Sequence, residues 1–286
     1  MPERSKAVLI TGCSSGIGRA TALRLARGGW PVYASARRPE SLVELAGAGC
    51  KTLPLDVTDE ASTRAAVERV EQECDAVGVL INNAGYSQSG AIETVSLEAA
   101  RRQFETNVFG VVRLTQLVLP RMRAQRWGKI VNVGSMGGRL TFPGGGHYHA
   151  TKHALEAISD ALRFEVRGFG IDVILLEPGL ITTEFGEAAA ASLQHSRAEP
   201  AQDGEPYARF NAAVGAVTKG AYDGGLSRLG AGPDRVARAI ERALHRRRPP
   251  TRIVITPSAK LTIAMRRLLS DRAWDAAMRQ QFPQPR

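Results

Sequence analysis

The sequence has little of what marks a secreted or membrane protein. It has three cysteines in 286 residues, and so few, in an odd number, exclude a disulfide framework or a cysteine metal cage. No apolar run approaches the roughly 18 residues of a membrane span, and the polar start leads directly into a short strand-like run rather than a signal peptide. We therefore expect reduced thiols, no metal site, no transmembrane segment and a cytoplasmic location.

Acidic residues are scarce only near the C-terminal end of the chain. The net charge is +10, and residues 241–286 contribute +8 of it, with 11 Lys and Arg against 3 Asp and Glu. A basic segment of this kind is able to bind nucleic acid, an anionic membrane surface or a second subunit. Trp274 and Phe282 are the only aromatic residues among these arginines, too few for a platform on which bases stack. We therefore favour a terminal helix that packs on the protein's own core, and we expect no nucleic-acid partner.

Short apolar runs alternate with helical patterns through most of the chain, which is typical of βαβ units that form a parallel sheet. Near-continuous apolar runs indicate strands that are covered on both faces. We predict a doubly wound α/β fold with a seven-stranded parallel sheet between helices. The predicted strands are Ala7–Thr11, Val32–Ala36, Thr52–Leu55, Val79–Asn82, Ile130–Gly134, Asp172–Leu176 and Arg252–Thr256. The predicted helices are Ile17–Arg27, Glu60–Glu73, Leu97–Ala124, His149–Arg167 and Asp234–Arg246.

The chain has no internal repeat and no linker rich in Pro, Ser and Gly, so we predict one catalytic domain over residues 1–256. Residues 183–232 break the alternation and have no clear strand. Long insertions of this kind are usually functional, and we expect this one to act as a substrate lid. Residues 257–286 are predicted to form a basic C-terminal helical extension.

A glycine-rich turn, T-G-C-S-S-G-I-G at residues 11–18, follows the first predicted strand. Its glycines allow a tight turn and let backbone N–H groups approach a pyrophosphate at the helix N-terminus. The spacing G-x-x-x-G-x-G differs from the general G-x-G-x-x-G pattern, so a plain turn is an alternative. Its place in the first βα unit favours dinucleotide binding. We expect the cofactor to contact Gly12, Ser14, Ser15, Gly16, Ile17 and Gly18.

The end of the second strand indicates which dinucleotide would bind. An acid at this point binds the free ribose hydroxyl of NAD, whereas an arginine accommodates the extra phosphate of NADP. The sequence here is S-A-R-R at residues 35–38, without an acid. Guanidinium–phosphate pairing is strong and specific, so we predict that Arg37 and Arg38 select NADP(H) over NAD(H), although such a pair can also serve solubility alone. Further strand-end candidates for the adenine pocket are Asp56, Val57, Asn83, Ala84 and Gly85.

Tyr148 and Lys152 are four residues apart in a predicted helix. Side chains at this spacing lie on one face, about 5–6 Å apart at Cβ. A nearby ammonium favours the phenolate and lowers the phenol pKa from about 10, which makes Tyr148 a candidate acid and base near neutral pH. The spacing alone is frequent by chance. The interpretation as a catalytic set is strengthened by Ser135, which directly follows the fifth predicted strand, and by Asn107.

These motifs together resemble the short-chain dehydrogenase/reductase superfamily. The resemblance covers about residues 7–183, in the expected order: the turn at 11–18, Asn-Asn-Ala-Gly at 82–85, Asn107, Ser135, Tyr-x-x-x-Lys at 148–152 and Pro178-Gly179. It implies a Rossmann-type fold and an oxidoreductase that interconverts a ketone or aldehyde and an alcohol, with the hydride carried by the cofactor. It also implies that the nicotinamide end of the cofactor contacts Tyr148, Lys152, Pro178, Gly179, Ile181 and Thr183.

The resemblance implies a role for each residue of the catalytic set. Tyr148 would act as the acid and base, and Lys152 would bind the nicotinamide ribose and lower the pKa of Tyr148. Ser135 would hydrogen-bond the carbonyl oxygen, and Asn107 would hold a proton-relay water. A non-catalytic dinucleotide-sensing regulator on the same fold is the alternative, but such a protein has no need of all four residues.

The substrate is expected to be medium-sized to large and apolar, such as a steroid, retinoid or polyketide. Cys13 in the turn, the Arg pair at 37–38 and the extended C-terminus are similar to hydroxysteroid and retinol dehydrogenase-like members. Members commonly pair through helices equivalent to 97–124 and 149–167, which implies a homo-oligomer, a dimer or tetramer. Candidate substrate contacts are Ser135, Met136, Leu140, His147, Tyr148 and Phe185.

Overall fold

A parallel sheet runs through the computed structural model, which describes residues 4–195, 206–223 and 229–285. Its strands in the described residues are β1 (Val8–Ile10), β2 (Val32–Ala36), β3 (Lys51–Pro54), β4 (Val79–Asn82), β5 (Gly128–Val133), β6 (Ile171–Glu177) and β7 (Arg252–Val254). They pair in the order β3-β2-β1-β4-β5-β6-β7, all in parallel. The order reverses between β1 and β4, where a doubly wound sheet leaves a crevice at the carboxyl ends of its strands. The seven-stranded Rossmann-type prediction is confirmed.

The helices of the described residues follow the strands in alternation up to β6. They are α1 (Gly16–Arg27), α2 (Val43–Gly47), α3 (Glu60–Cys74), α4 (Leu97–Phe104), α5 (Gly110–Ala124), α6 (Gly146–Val166), α7 (Phe185–His195), α8 (Ala208–Asp223), α9 (Pro233–His245), α10 (Pro257–Leu268) and α11 (Asp271–Arg279). Strand limits agree with the predicted ones to within two residues. The short α2 was not predicted.

Both faces of the sheet are covered, as the apolar strands indicated. Val8 and Ile10 pack on one face with Leu25 of α1 and Ile240 of α9. Leu9, between them, packs on the opposite face with side chains of α3, α5 and α6. Successive side chains of a strand point to opposite faces, so an uninterrupted apolar run is what a sheet between two helical layers requires.

The long helix predicted over 97–124 is interrupted in the structure. A π-helical turn, Glu105–Phe109, separates α4 from α5. Asn107 lies within it and is only 1% exposed. Such turns insert an extra residue into a helix and are frequent at functional sites. The 3.6-residue apolar pattern continues on both sides of the turn, which is why the sequence predicted one helix.

Apart from β7, the described segments after β6 are helical, and α9 packs beside α1 on one face of the sheet. The predicted lid, residues 183–232, contains α7 and α8 in its described part and no strand there longer than a single bridge. The C-terminal extension consists of two helices, because Ser270 interrupts the run and caps α11 by accepting from the N–H of Ala273. Trp274 of α11 is buried against Leu140 and Phe142. The extension therefore packs on the protein's own core, as we favoured.

In the part of the chain that the structure describes, no helix combines the length and the apolar composition that crossing a bilayer requires. The three thiols, Cys13, Cys50 and Cys74, are all free, as expected. Cys13 and Cys50 are buried, and burial raises the pKa of the Cys13 thiol to about 12. Such a thiol stays protonated and unreactive near neutral pH.

Candidate active site

A cavity of about 1600 Å³ opens beyond the carboxyl ends of the strands. Pockets for one drug-sized ligand measure roughly 300–1,000 Å³, so this cavity has room for two molecules side by side. Its walls include the glycine-rich turn after β1, the first turns of α6, and side chains of α7, α8, α10 and α11. The crevice of the doubly wound sheet and the C-terminal helices therefore bound one continuous space.

The glycine-rich turn is held in place by Asn83, which follows β4, the neighbour of β1 in the sheet. Gly12 and Gly16 have φ of +70° and +56°, a region that favours glycine. Asn83 Nδ2 donates to the carbonyls of Thr11 and Gly12, at 2.9 Å each. At Gly18 an added Cβ would collide with the Gly12 carbonyl and lie 2.5 Å from Asn83 Nδ2. Gly18 therefore allows this close packing and does not itself line the cavity.

The N-terminus of α1 suits an anion. No side chain caps it, and its first turn carries no acidic residue. The first N–H groups of a helix lack intrahelical partners, and the helix dipole favours negative charge there. Ser14, Ser15, Gly16 and Ile17 line the cavity at this point. The donors present therefore fit the pyrophosphate of a dinucleotide.

Arginine side chains lie beside the cavity after β2 and on α4. Arg37 is exposed and lines the cavity, whereas Arg38 is exposed and does not. Arg102 of α4, which sequence analysis did not single out, also lines it. Burial raises the pKa of Tyr86, and the positive charges of Arg102 and Arg37 oppose that rise. The two guanidinium groups therefore act on the same part of the cavity.

The other predicted adenine-side residues also reach the cavity. Asp56 Oδ1 accepts hydrogen bonds from the backbone N–H and the hydroxyl of Thr58, at 2.9 and 2.7 Å. This carboxylate is therefore already part of a local turn after β3. Asp56, Val57, Asn83, Ala84 and Gly85 all line the cavity.

Tyr148 and Lys152 lie on one face of α6 and line the cavity together. Lys152 Nζ is 5.7 Å from the centre of the Tyr148 ring and donates to the Val133 carbonyl at 2.9 Å. Lys152 is 8% exposed, and burial lowers its pKa to about 8. The Tyr148 ring also contacts Phe185 at the start of α7, with ring centres 5.7 Å apart. The ammonium is thus held beside the phenol, as the four-residue spacing predicted.

Ser135 and Asn107 occupy different places relative to this pair. Ser135 lies two residues after the end of β5 and lines the cavity, and its Oγ accepts from the N–H of Gly137 at 3.0 Å. Asn107 does not line the cavity. Its Nδ2 donates to the Tyr86 carbonyl at 2.9 Å and to Thr151 Oγ1 at 3.1 Å, and its Oδ1 accepts from the Tyr86 N–H at 3.1 Å. Asn107 therefore joins the end of β4 to α6, and its relay role stays a prediction.

The predicted substrate residues divide into two groups. Met136 and Phe185 line the cavity. Leu140 does not, because it is 2% exposed and buried against α10 and α11. His147 is half-buried and also lies outside the cavity wall. Pro178, Gly179, Ile181 and Thr183, which were predicted to contact the nicotinamide, all line the cavity.

Sequence analysis found part of the apolar wall of the cavity, because α7 and α8 lie within the predicted lid, residues 183–232. It missed the part that α10 and α11 contribute, because these helices are far from the site in the chain. The amphipathic pattern of the C-terminal segment was visible, but no local signal showed that it faces the site. The missed lining residues include Phe142, His149, Leu180, Leu261, Met265, Trp274, Met278 and Phe282.

A cluster of charged side chains lies behind the candidate site. Arg139, just after the turn that carries Ser135, contacts Glu177 at 3.2 Å, and Arg252 contacts Glu156 at 3.1 Å. Burial and the neighbouring Glu177 raise the pKa of Glu156. The two carboxyl groups need these guanidinium groups because unpaired buried charges are costly. The cluster joins α6, β6 and β7 behind the site.

The chain is similar to curated enzymes along most of its length. It is 37% identical over 258 residues to the 3-ketodihydrosphingosine reductase of Bacteroides thetaiotaomicron, covering 90% of each chain. It is 35% identical over 277 residues to the NADPH-dependent 3-dehydrocapnine reductase of Ornithobacterium rhinotracheale, covering 93% of this chain and 94% of the relative. Both relatives are named as reductases.

Solved structures show the same similarity. A short-chain dehydrogenase from Streptomyces avermitilis superposes with a TM-score of 0.79 at 33% identity over 96% of each chain. A short-chain dehydrogenase/reductase from Burkholderia phymatum in complex with NAD superposes with a TM-score of 0.78 at 26% identity, covering 99% of this chain and 98% of the other. Structural relatives thus bind nicotinamide dinucleotides.

The family model for the short chain dehydrogenases matches residues 6–194. This range runs from β1 to α7 and includes the glycine-rich turn, Ser135, Tyr148 and Lys152. The chain therefore belongs to the short-chain dehydrogenase/reductase family of oxidoreductases.

Proposed function

We propose that this protein is an NADP(H)-dependent oxidoreductase that interconverts a ketone or aldehyde and an alcohol on a medium-to-large apolar substrate. The observation that carries the proposal is the arrangement of Tyr148, Lys152 and Ser135 on the wall of the same cavity as the glycine-rich turn. A nicotinamide dinucleotide, when bound, supplies or accepts the hydride. Every other part of the reaction falls to side chains of this chain.

In the reductive direction, Tyr148 Oη gives its proton to the carbonyl oxygen as the carbonyl carbon gains the hydride. The ammonium of Lys152 stabilises the resulting phenolate, because an opposite charge nearby favours the ionised form. Ser135 Oγ donates a hydrogen bond to the same oxygen and so stabilises its developing negative charge. In the oxidative direction Tyr148 accepts the proton. Asn107 positions Thr151 and the Tyr86 backbone beside this pair.

The choice of NADP(H) rests on the arginines beside the adenosine end. Arg37 follows β2 and lines the cavity, and no acid stands at this strand end to bind a ribose hydroxyl. We expect Arg37→Ala to weaken NADPH binding about tenfold or more, because it removes a charge-assisted pair with the phosphate. Arg38→Ala is the matched control, since Arg38 is exposed outside the cavity wall. Equal NADPH affinity of the two variants, measured by titration calorimetry, would contradict the assignment.

An apolar substrate is supported by the wall that α7, α8, α10 and α11 contribute. These helices present mostly aliphatic, aromatic and methionine side chains to the cavity. Covering such a surface with an apolar ligand is favourable because it removes apolar area from water. The two relatives named for 3-ketodihydrosphingosine and 3-dehydrocapnine extend the candidate substrates to their ketones. The lining residues in question include Phe185, Val214, Val217, Leu261, Met265, Trp274 and Met278.

The decisive experiment is a panel of steroid, retinoid, aliphatic and aromatic ketones, scored by NADPH consumption. The Tyr148→Phe variant is the control, because it keeps the ring contact with Phe185 and removes only the proton donor. We expect it to lose about 10²-fold or more in turnover, with NADPH binding little changed. Near-native turnover by this variant would refute the role of Tyr148.

We also propose that the protein forms a homo-oligomer through α5 and α6. Phe164 on α6 is 88% exposed, and Phe109 beside the start of α5 is 52% exposed. Large exposed aromatic side chains on neighbouring helices are typical of subunit contacts. Light scattering should give a mass above 30.7 kDa for the wild type and a lower mass for Phe164→Glu. A monomeric wild-type protein would contradict this.

A further inference from the structure

His149, the residue after the proposed acid and base, occupies a narrow slot between two glycines. Its Nδ1 is 3.0 Å from the Gly137 carbonyl oxygen. A Cβ added at Gly137 would collide with Nδ1, and one added at Gly145 would lie 2.8 Å from both Cδ2 and Nε2. Only glycine at both positions leaves room for the ring in this orientation.

The surroundings define where the imidazole carries its proton. A carbonyl oxygen only accepts hydrogen bonds, so Nδ1 must be the donor to Gly137. Burial lowers the pKa of His149 to about 4, so the ring is neutral near pH 7. In a neutral imidazole with a proton on Nδ1, the other nitrogen, Nε2, is an acceptor.

This acceptor has no partner within the described residues. The ring's one hydrogen bond there is the one through Nδ1. His149 and Gly145 both line the cavity, and the missing side chain of Gly145 leaves the Nε2 edge uncovered. A polar atom in a confined site favours a ligand that satisfies it. The group that binds here must therefore be a hydrogen-bond donor.

The place of this acceptor relative to Tyr148 limits where the donor can be. The ring centres of Tyr148 and His149 are 5.5 Å apart. We propose that His149 Nε2 accepts a hydrogen bond from a hydroxyl or amino group that the substrate carries within a carbon or two of the reacting carbonyl. The substrate class is then an apolar ketone with a neighbouring hydroxyl or amine. This inference rests on the proposed function and adds a specificity-determining residue to it.

A pair of ketones that differ in one hydroxyl tests the inference. Decyl methyl ketone has no donor, and decyl hydroxymethyl ketone has one beside the carbonyl. The quantity measured is the ratio of kcat/KM for the hydroxymethyl ketone to kcat/KM for the methyl ketone, with NADPH. The hydroxyl also changes the intrinsic reactivity of the ketone, so the comparison is made between variants and not within the wild type.

Substitutions at His149 separate its two nitrogens. In His149→Asn the side-chain amide reaches the position of Nδ1 and can still donate to Gly137, but nothing replaces Nε2. In His149→Gln the longer side chain can place its carbonyl oxygen near the position of Nε2. We expect the ratio to fall about tenfold in His149→Asn and to recover in His149→Gln, as one lost hydrogen bond predicts.

Each outcome decides between the two proposals. A ratio in His149→Asn equal to that of the wild type, with both ketones still reduced, would overturn the inference and leave the proposed function standing. An equal fall in kcat/KM for both ketones would assign His149 only a structural role in holding Gly137. No reduction of either ketone by a wild type that reduces another ketone of the panel would overturn the inference alone, and no reduction of any ketone of the panel would overturn both proposals. If His149→Asn does not fold, His149→Phe replaces it in the comparison with His149→Gln.

Discussion

Replacing Gly18 by alanine tests whether the glycine-rich turn depends on close packing or on the freedom of its backbone. Gly18 lies in α1, where alanine is normally favoured over glycine by about 1 kcal/mol. In this structure an added Cβ would overlap the carbonyl oxygen of Gly12 and lie 2.5 Å from Asn83 Nδ2. Either the turn or the asparagine must then move.

The cost follows from the contacts that this movement breaks. Forcing a methyl group into a packed site costs about 1–3 kcal/mol. Displacing Asn83 endangers its two hydrogen bonds, to Thr11 and Gly12, which are each worth about 0.5–1.5 kcal/mol. Subtracting the gain in helix propensity, we expect Gly18→Ala to lower the free energy of unfolding by roughly 1–5 kcal/mol.

Urea unfolding followed by circular dichroism measures this change. Gly47→Ala is the matched control, because it adds the same methyl group in a helix where nothing lies within 4 Å of the new Cβ. It should leave stability unchanged or raise it slightly. The double variant Gly18→Ala with Asn83→Ala should cost less than the sum of the single variants, since the Cβ then enters space that Asn83 vacates. A Gly18→Ala protein as stable as the wild type would refute the packing argument.

Two further predictions concern Lys152 and Trp274. The pKa of Lys152 is about 8 in the folded protein and 10.5 for the free side chain. The burial of its charge therefore lowers the free energy of unfolding by the full amount below pH 8, by less as the pH rises, and not at all above about pH 10.5. Stability of the wild type relative to Lys152→Met should therefore rise by up to about 3 kcal/mol between pH 7.5 and 10.5, and a difference independent of pH in urea unfolding would contradict this. Trp274 is 6% exposed and its Nε1 donates to the Thr141 carbonyl at 3.3 Å, so Trp274→Ala should cost about 3–5 kcal/mol and raise KM for apolar ketones more than it lowers kcat. Unchanged KM together with unchanged thermal unfolding would show that α11 does not form the cavity wall.

Local patterns were sufficient for the strands and for the motifs at their ends. The apolar runs at β1 and β6 predicted buried parallel strands because both faces of those strands meet helices. The four-residue spacing of Tyr148 and Lys152 predicted their common face because helix geometry alone sets it. Each of these features depends on residues that are close together in the chain.

Other features needed contacts between distant segments. The turn at Glu105–Phe109 coincides with bonds from Asn107 to Tyr86 and Thr151, which lie 21 and 44 residues away. Leu140 was assigned to the substrate because of its place in the chain, but α10 and α11 bury it. Periodicity cannot reveal either effect, because it records which side of an element is apolar and not what meets that side.

The amino-acid order by itself determined the layered sheet, the glycine-rich turn and the pairing of phenol and ammonium, since backbone sterics, burial of apolar runs and helix geometry act over a few residues. Only the tertiary structure decided that α10 and α11 line the apolar end of the cavity and that Asn83 holds the turn through Thr11 and Gly12, in space that Gly18 leaves free. It also decided that His149 turns one nitrogen towards Gly137. These arrangements depend on which distant surfaces fit together, and packing selects them only after the whole chain has folded.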